Sequence, residues 1–433
     1  MKSRRIVFEL ALAVQEEDTT DKKHAERGIF MQPPVVILGA NFYTALGAIR
    51  SLGRRGVPVY ALDYHFPSAY ALSSRYVTER VLCPDINKSE KELADFLVGY
   101  GKNFSEKPVL MATADSYALL ISRHADRLKN YYLFPEMPGG LLEKIIDKMG
   151  LHQLSATYNL IMPQTFIADE NADLKEIASC INYPCIIKPA LSHEFVKVFR
   201  QKCLFSENNE DLIAALEKAR RENLEVMVQE IIPGFDDHMY VFDVYINREG
   251  KATHTYTAQK LRQFPINFGS STLTRHKHVQ ELVDSGLKYM KSIGYRGYGE
   301  IEFKQHADSG RFYMIEINAR LSTLNVLFDK CGVEFTYAMY RDLIGNPLPD
   351  MHLTEDQPWV FWHAFEDFIS SIAYLRSKQL TLGEIIKPWF SYKKAHAIWA
   401  LDDPLPLFTF SRIVLGRAAG KLVRVLTRRP QTK

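Results

Sequence analysis

Tyr298–Arg320 reads YGEIEFKQHADSGRFYMIEINAR, and the fold turns on how this stretch pairs with itself. Two alternating apolar runs, Ile301–Phe303 and Phe312–Ile317, flank the turn signal Asp308-Ser309-Gly310, the pattern of a β-hairpin. A three-residue loop with Gly310 left-handed sets Glu302 opposite Glu316 and Glu300 opposite Asn318. Side chains alternate across a strand, so these four share one face, and Ile301, Phe303, Ile315 and Ile317 share the other. Like charges facing each other are destabilising unless a cation lies between them, and hard oxygen donors suit Mg²⁺ or Mn²⁺ bridging a phosphate. The alternative is a solvated acidic hairpin, and a slip of one residue in the turn would part Glu302 from Glu316.

Working outward, 433 residues leave room for two or three domains, and 46% hydrophobic with 24% charged content supplies ordinary cores. The formal net charge of +3 is too mild for nucleic-acid binding, which shows a strong basic stripe with interleaved aromatics. Five scattered cysteines without CxxC spacing indicate a reduced, cytoplasmic setting and neither a disulfide framework nor a zinc site. No apolar run is long enough to span a bilayer. The N-terminal IVFELALAV is interrupted by Glu9 and followed by acidic residues, so residues 1–32 are expected to be a disordered extension rather than a signal peptide.

From Pro34 to about Lys129, apolar strands (VVILGA, VPVYALD, PVLMATA) alternate with helical stretches, which implies a parallel sheet with crossovers. The loop Gly39-Ala40-Asn41-Phe42-Tyr43, with the next glycine at Gly47, is not the GxGxxG dinucleotide fingerprint. PEMPGG at 135–140 marks a boundary. An α+β unit follows: a helix carrying Lys148, the strand YPCIIKPA, EVMVQEIIPG running into a turn, an antiparallel pair over 240–259, and the hairpin. A helix is expected over about 323–343. The last 80-odd residues are aromatic and rather helical. There Arg417, Lys421, Arg424 and Arg428 recur at helical spacing, either as a solvated basic face or as a peripheral contact with an anionic membrane.

Taken in order, Asp147-Lys148, YPCIIKPA, MVQEIIPG, IEF and MIEINAR resemble the ATP-grasp superfamily over roughly residues 33–347. TALGAIRSLGRRGVPVYALD, QKLRQFPINFGSSTLTR and INARLSTLNVLFDKCGVEF are similar to the carboxylate-amine ligases of its D-aspartate ligase-like group. The fold implied is α/β plus α+β: a Rossmann-like preATP-grasp domain over 33–138, a two-lobed ATP-grasp domain over 139–347, and a helical C-terminal extension over 348–433. The activity implied is condensation of a carboxylate with an amine, small molecules both, by way of an acylphosphate made with ATP.

By the same resemblance, Lys148 and Lys188 would reach the nucleotide phosphates. Glu230, with the backbone of Ile231 and Ile232, would form the adenine hinge, and Asp237 would hold the ribose or simply cap a turn. Glu302, Glu316 and Asn318 would bind Mg²⁺, and Arg320 would steady the transferred phosphoryl group. Lys260 and Arg262, two residues apart on a strand, are expected on one face, where they suit a carboxylate or γ-phosphate or else guard an edge. The stretch after Lys188 lacks the glycines usual in the family's phosphate loop, so Ser192, His193 and Lys202 are the candidates to take over its contacts. Two other functions are weighed: a bicarbonate-activating carboxylase, for which no biotin-carrier segment is visible, and a nucleotide-binding, membrane-peripheral protein without catalysis.

Overall fold

The structure is a computed structural model that describes residues 32–189, 195, 198–201 and 203–427. The extension expected over 1–32 falls, as far as residue 31, outside the described residues, as do Ser192, His193 and Lys202. The first sheet is parallel, order β3-β2-β1-β4, from β1 (Val35–Leu38), β2 (Val59–Asp63), β3 (Glu79–Leu82) and β4 (Val109–Ala112). All four residues of β1 are buried, the signature of a strand covered on both faces by crossover helices. Those helices include α1 (Tyr43–Gly53), α2 (Glu90–Gly101) and α3 (Asp115–Arg123). The β1–α1 turn needs Gly39, whose φ is +86° and where a Cβ would lie 2.6 Å from the Tyr117 ring.

Two short helices, α4 (Leu141–Ile146) and α5 (Lys148–Thr157), lead into a small lobe. Its antiparallel sheet, order β5-β8-β6-β7, comprises β5 (Thr165–Ala168), β6 (Cys185–Pro189), β7 (Leu204–Ser206) and β8 (Val226–Glu230). Helices α6 (Leu174–Cys180) and α7 (Asn209–Arg221) cover one face of it. The lobe encloses a core of its own, with Ile177, Ile187, Leu212 and Val228 among its buried residues. Both ends of the lobe are hydrogen-bonded to the hairpin, through Met314 N–H to the Ile161 carbonyl (2.8 Å) and Ala307 N–H to the Pro233 carbonyl (2.9 Å).

The large sheet is built from β9 (Met239–Ile246), β10 (Ala252–Phe264), β11 (Ser270–His276), β12 (Gly297–Gln305), β13 (Phe312–Asn318), β14 (Met351–His352), β15 (Trp359–Trp362) and β16 (Lys393–His396). Its order is β13-β12-β9-β10-β11-β15-β16, with β14 beside β10. The C-terminal stretch thus supplies strands as well as helices. Helix α8 (Gln280–Ser292) precedes β12, and the helix expected near 323–343 is two, α9 (Asn325–Cys331) and α10 (Phe335–Leu343). The break falls at Gly332, left-handed at φ +83°, the residue that most readily ends a helix. Then come α11 (Ala364–Arg376), α12 (Leu382–Ser391) and α13 (Leu405–Thr427). One core joins Ile37 and Leu46 of the first sheet's layer to Val241, Phe361 and Ala395 of the large sheet.

Candidate functional site

The β12–β13 ladder pairs Glu300 with Asn318, Ile301 with Ile317 and Glu302 with Glu316, the expected register, but reaches it by a different route. Nearer the turn the pairs are Phe303–Met314 to Gln305–Phe312, and His306 N–H donates to the Arg311 carbonyl at 2.9 Å. The loop is therefore longer than three residues and would by itself set Glu302 across from Ile315. A bulge at Ile315 takes up the extra residue. Ile315 consequently leaves the apolar face expected for it and lines a cavity beside Glu316, while Met314 joins Ile301, Phe303 and Ile317 in the core.

On the polar face, Asn318 Nδ2 donates to Glu300 Oε1 (2.9 Å) and Glu302 Oε1 (3.4 Å), and its Oδ1 accepts from Arg320 Nη2 (3.0 Å). Lys260 Nζ lies 2.6 Å from Glu302 Oε2. Glu316 has no hydrogen-bond partner among the described residues. Water reaches its side chain from the cleft, yet protein crowds it; this desolvation and then the facing Glu302 raise its pKa, against the pull of Lys260, Lys188 and Arg320. Two opposed carboxylates with one cation between them leave room for another. The residues present fit a divalent ion: two glutamates and the Asn318 amide oxygen are hard donors. Among the described residues no three His, Cys, Asp or Glu side chains form such a site by themselves, so Asn318 or phosphate oxygens would have to complete the shell.

The opposite wall belongs to the small lobe and the helix before it. Lys188, on β6, donates from Nζ to Gln229 Oε1 on β8 (2.7 Å), and Gln229 Nε2 donates to Thr165 Oγ1 (3.0 Å). Burial and then repulsion from Lys148 lower the Lys188 pKa to about 8. Lys148 opens α5 behind the N-cap Asp147, whose carboxylate accepts from Gly150 N–H at 2.6 Å. Lys148, Lys188, Gln229, Glu316, Asn318 and Asp115 line one cavity of ≈ 170 Å³. A larger one of ≈ 450 Å³ opens beyond Arg320, against Phe134, Leu142 and Tyr298. It holds neither lysine and neither of the facing glutamates.

Other expected residues lie elsewhere. The Glu230 carboxylate accepts from Gln164 N–H (2.8 Å) and Asn182 Nδ2 (2.6 Å), and Ile231 N–H donates to the Pro184 carbonyl (2.9 Å). Both groups are spent on holding the small lobe together. Ile232 is buried at the end of this stretch. Asp237 is exposed beside His238, and its carbonyl accepts from Gln259 Nε2 at 2.6 Å. Arg262 does not share the face of Lys260, because the β10–β11 ladder is irregular around Leu261. Its guanidinium makes a forked, buried pair with Asp367 (2.7 and 2.8 Å) and donates to the Ile385 carbonyl at 3.1 Å. The expected role at a phosphate or carboxylate is therefore corrected to a structural one: every branch of its guanidinium is already engaged.

Sequence reading undervalued Glu300 and missed Asp243. Glu300 is buried, accepts from Ser322 Oγ at 2.7 Å, and pairs across the strands with Asp243. Asp243 accepts a short hydrogen bond from the Tyr298 hydroxyl. Burial, and then Glu300, raise its pKa well above the usual carboxylate range. The signal was a lone acid inside the apolar run YVFDVYI, a costly placement unless the acid is paired or protonated.

Known proteins resemble the chain in sequence and in fold. Residues 147–351 match the family model of the carbamoyl-phosphate synthase L chain, ATP binding domain. D-aspartate ligase of Enterococcus faecium is 26% identical over 301 residues, which cover 66% of this chain and 70% of that protein. The N-terminal section of the carbamoyl phosphate synthase large chain of Methanopyrus kandleri is 25% identical over 168 residues, but this chain spans only 28% of its length. Among solved structures, N5-carboxyaminoimidazole ribonucleotide synthetase from Thermus thermophilus superposes with a TM-score of 0.57 at 17% identity, covering 74% of this chain and 81% of that one. Biotin carboxylase from Campylobacter jejuni gives 0.56 at 17% identity, covering 74% and 73%. At such identities the structural likeness shows the fold alone; with the family match over residues 147–351 and the relative in sequence, the chain carries an ATP-grasp domain.

Proposed function

We propose that this protein is an ATP- and Mg²⁺-dependent ligase that joins a carboxylate to an amine, both amino-acid-like, through an acylphosphate. One observation carries the reading: two lysines from one side and the Glu316–Asn318 end of the hairpin from the other converge on a single cavity. Transfer of a phosphoryl group needs positioning and neutralisation of spread negative charge more than it needs covalent help from the protein. Lys148 and Lys188 hold the phosphates, and Arg320, braced against Asn318, faces the transferred group. Glu302, Glu316 and Asn318 would hold magnesium, which would supply further neutralisation. The substrate carboxylate oxygen attacks the γ-phosphorus, the bond to the bridging oxygen breaks, and ADP leaves. The amine nitrogen then attacks the acyl carbon, phosphate departs with the C–O electron pair, and the nitrogen gives up a proton. The D-aspartate ligase relative favours an amino acid as one of the two reactants.

The test is ADP release from purified protein over paired acids and amines, with mass spectrometry of the product. Release is expected only with both reactants present, and hydroxylamine should trap the acyl group as a hydroxamate. Glu316→Gln should lower turnover by about a hundredfold or more while the melting temperature holds. Unchanged turnover would remove Glu316 from the metal site. ADP release that needs bicarbonate and no organic acid would replace the reaction altogether.

A further inference from the structure

Helix α11 is built inside out. Its buried residues are Asp367, Ser370, Ser371 and Tyr374, whereas Phe365, Phe368, Ile369, Ile372 and Leu375 stand exposed. The exposed set recurs every three or four positions and makes a continuous apolar stripe, the reverse of a helix that docks by its greasy face. The inward face is fixed by polar chemistry instead: Asp367 receives the Arg262 fork and the indole N–H groups of Trp362 and Trp389, each at 2.9 Å. Phe365 of this stripe packs on Phe410 of α13 at 5.8 Å between ring centroids. On α13, Phe408 is 64% and Leu415 69% exposed. Of 21 large apolar side chains exposed on the described surface, twelve lie between residues 365 and 415. Exposure concentrated in this way marks a docking surface.

Charge selects the occupant. From Leu405 to Lys433 the sequence carries seven Lys and Arg and no Asp or Glu; among the described residues, no helix is long and apolar enough to cross a membrane. We infer that α11 and α13 together form a membrane-docking face that lies on an anionic bilayer, with the stripe entering the headgroup boundary and the basic helix resting on the lipid phosphates. An isologous pairing with a second copy would bring like-charged α13 helices together and is disfavoured on that ground. The inference does not depend on the ligase reading, because neither helix contributes to the cavity of Lys188 and Glu316.

The test is flotation of the full chain with vesicles of phosphatidylcholine alone and of phosphatidylcholine with about 30% phosphatidylglycerol. Binding should be more than about tenfold stronger to the anionic vesicles and should weaken with salt. Phe368→Glu with Ile372→Glu should abolish it, and Arg412→Glu with Arg417→Glu should lower it by about tenfold or more. All four residues are exposed or rim positions, so the melting temperature should not move. Equal binding to both vesicles, or binding untouched by either pair of changes, would overturn the inference. So would absence of vesicle binding together with a dimer in analytical ultracentrifugation that the Phe368/Ile372 pair dissolves.

Discussion

Lys188 is an ammonium group held where ammonium is penalised. Its pKa, lowered from the ordinary lysine value to about 8 by burial and by Lys148, gives the free protein a pH-dependent phosphate site. Below pH 8 the group is charged and nucleotide affinity should be flat. Above it the cation is lost, and affinity should fall with each further unit until the pKa of the complex is reached. Calorimetric titration of ADP between about pH 6.5 and 9.5 should show the decline, and Lys188→Arg, whose guanidinium stays charged throughout, should flatten it. The same lowered pKa makes a negative contribution to stability below pH 8, relieved as pH rises from there toward the unfolded value.

At the scale of elements, the hairpin and β10 show how far local pattern reaches. The face shared by Glu300, Glu302, Glu316 and Asn318 was legible from alternation, and Lys188 from its place before a proline in an ordered set of motifs. The bulge at Ile315 was not, because its cause is a loop geometry that composition does not encode; two deviations, a longer loop and an extra strand residue, cancel. Arg262 was misplaced for another reason: its partner Asp367 is 105 residues away, and no local pattern announces a contact of that range. Asp367→Ala should therefore destabilise the fold by about 3–5 kcal/mol by leaving a buried guanidinium uncompensated, read as a shift of the urea midpoint at constant m. Replacing Arg262 and Asp367 together with Met and Leu should recover much of that loss. A full-strength Asp367→Ala protein that fails only in catalysis would return Arg262 to the active site.

For the whole molecule, two buried Arg–Asp pairs tie the C-terminal residues to the large sheet and to the layer of the parallel sheet. Arg262 and Asp367 fasten α11 to β10, and Arg50 Nε donates to Asp403 Oδ2 at 2.9 Å, fastening the segment before α13 to α1. Phe361 and Ala395 also sit in the central core. Residues 33–347 alone should therefore fail to fold into a stable body, giving little soluble protein and no cooperative melt; a truncated chain that melts cooperatively near the full-length temperature would show the extension to be an appendage.

With the parallel sheet and the large sheet bolted together in this way, the small lobe stands apart, since its core is its own. Two of its backbone attachments, at Ile161 and Pro233, hang from the hairpin. The lobe thus has a hinge whose pin is the strand pair that carries Glu302 and Glu316. A swing about that pin would open or shut the gap between Lys188 and those carboxylates while the carboxylates themselves stayed still, which would make admission of a nucleotide and preservation of the acidic wall mechanically separate tasks.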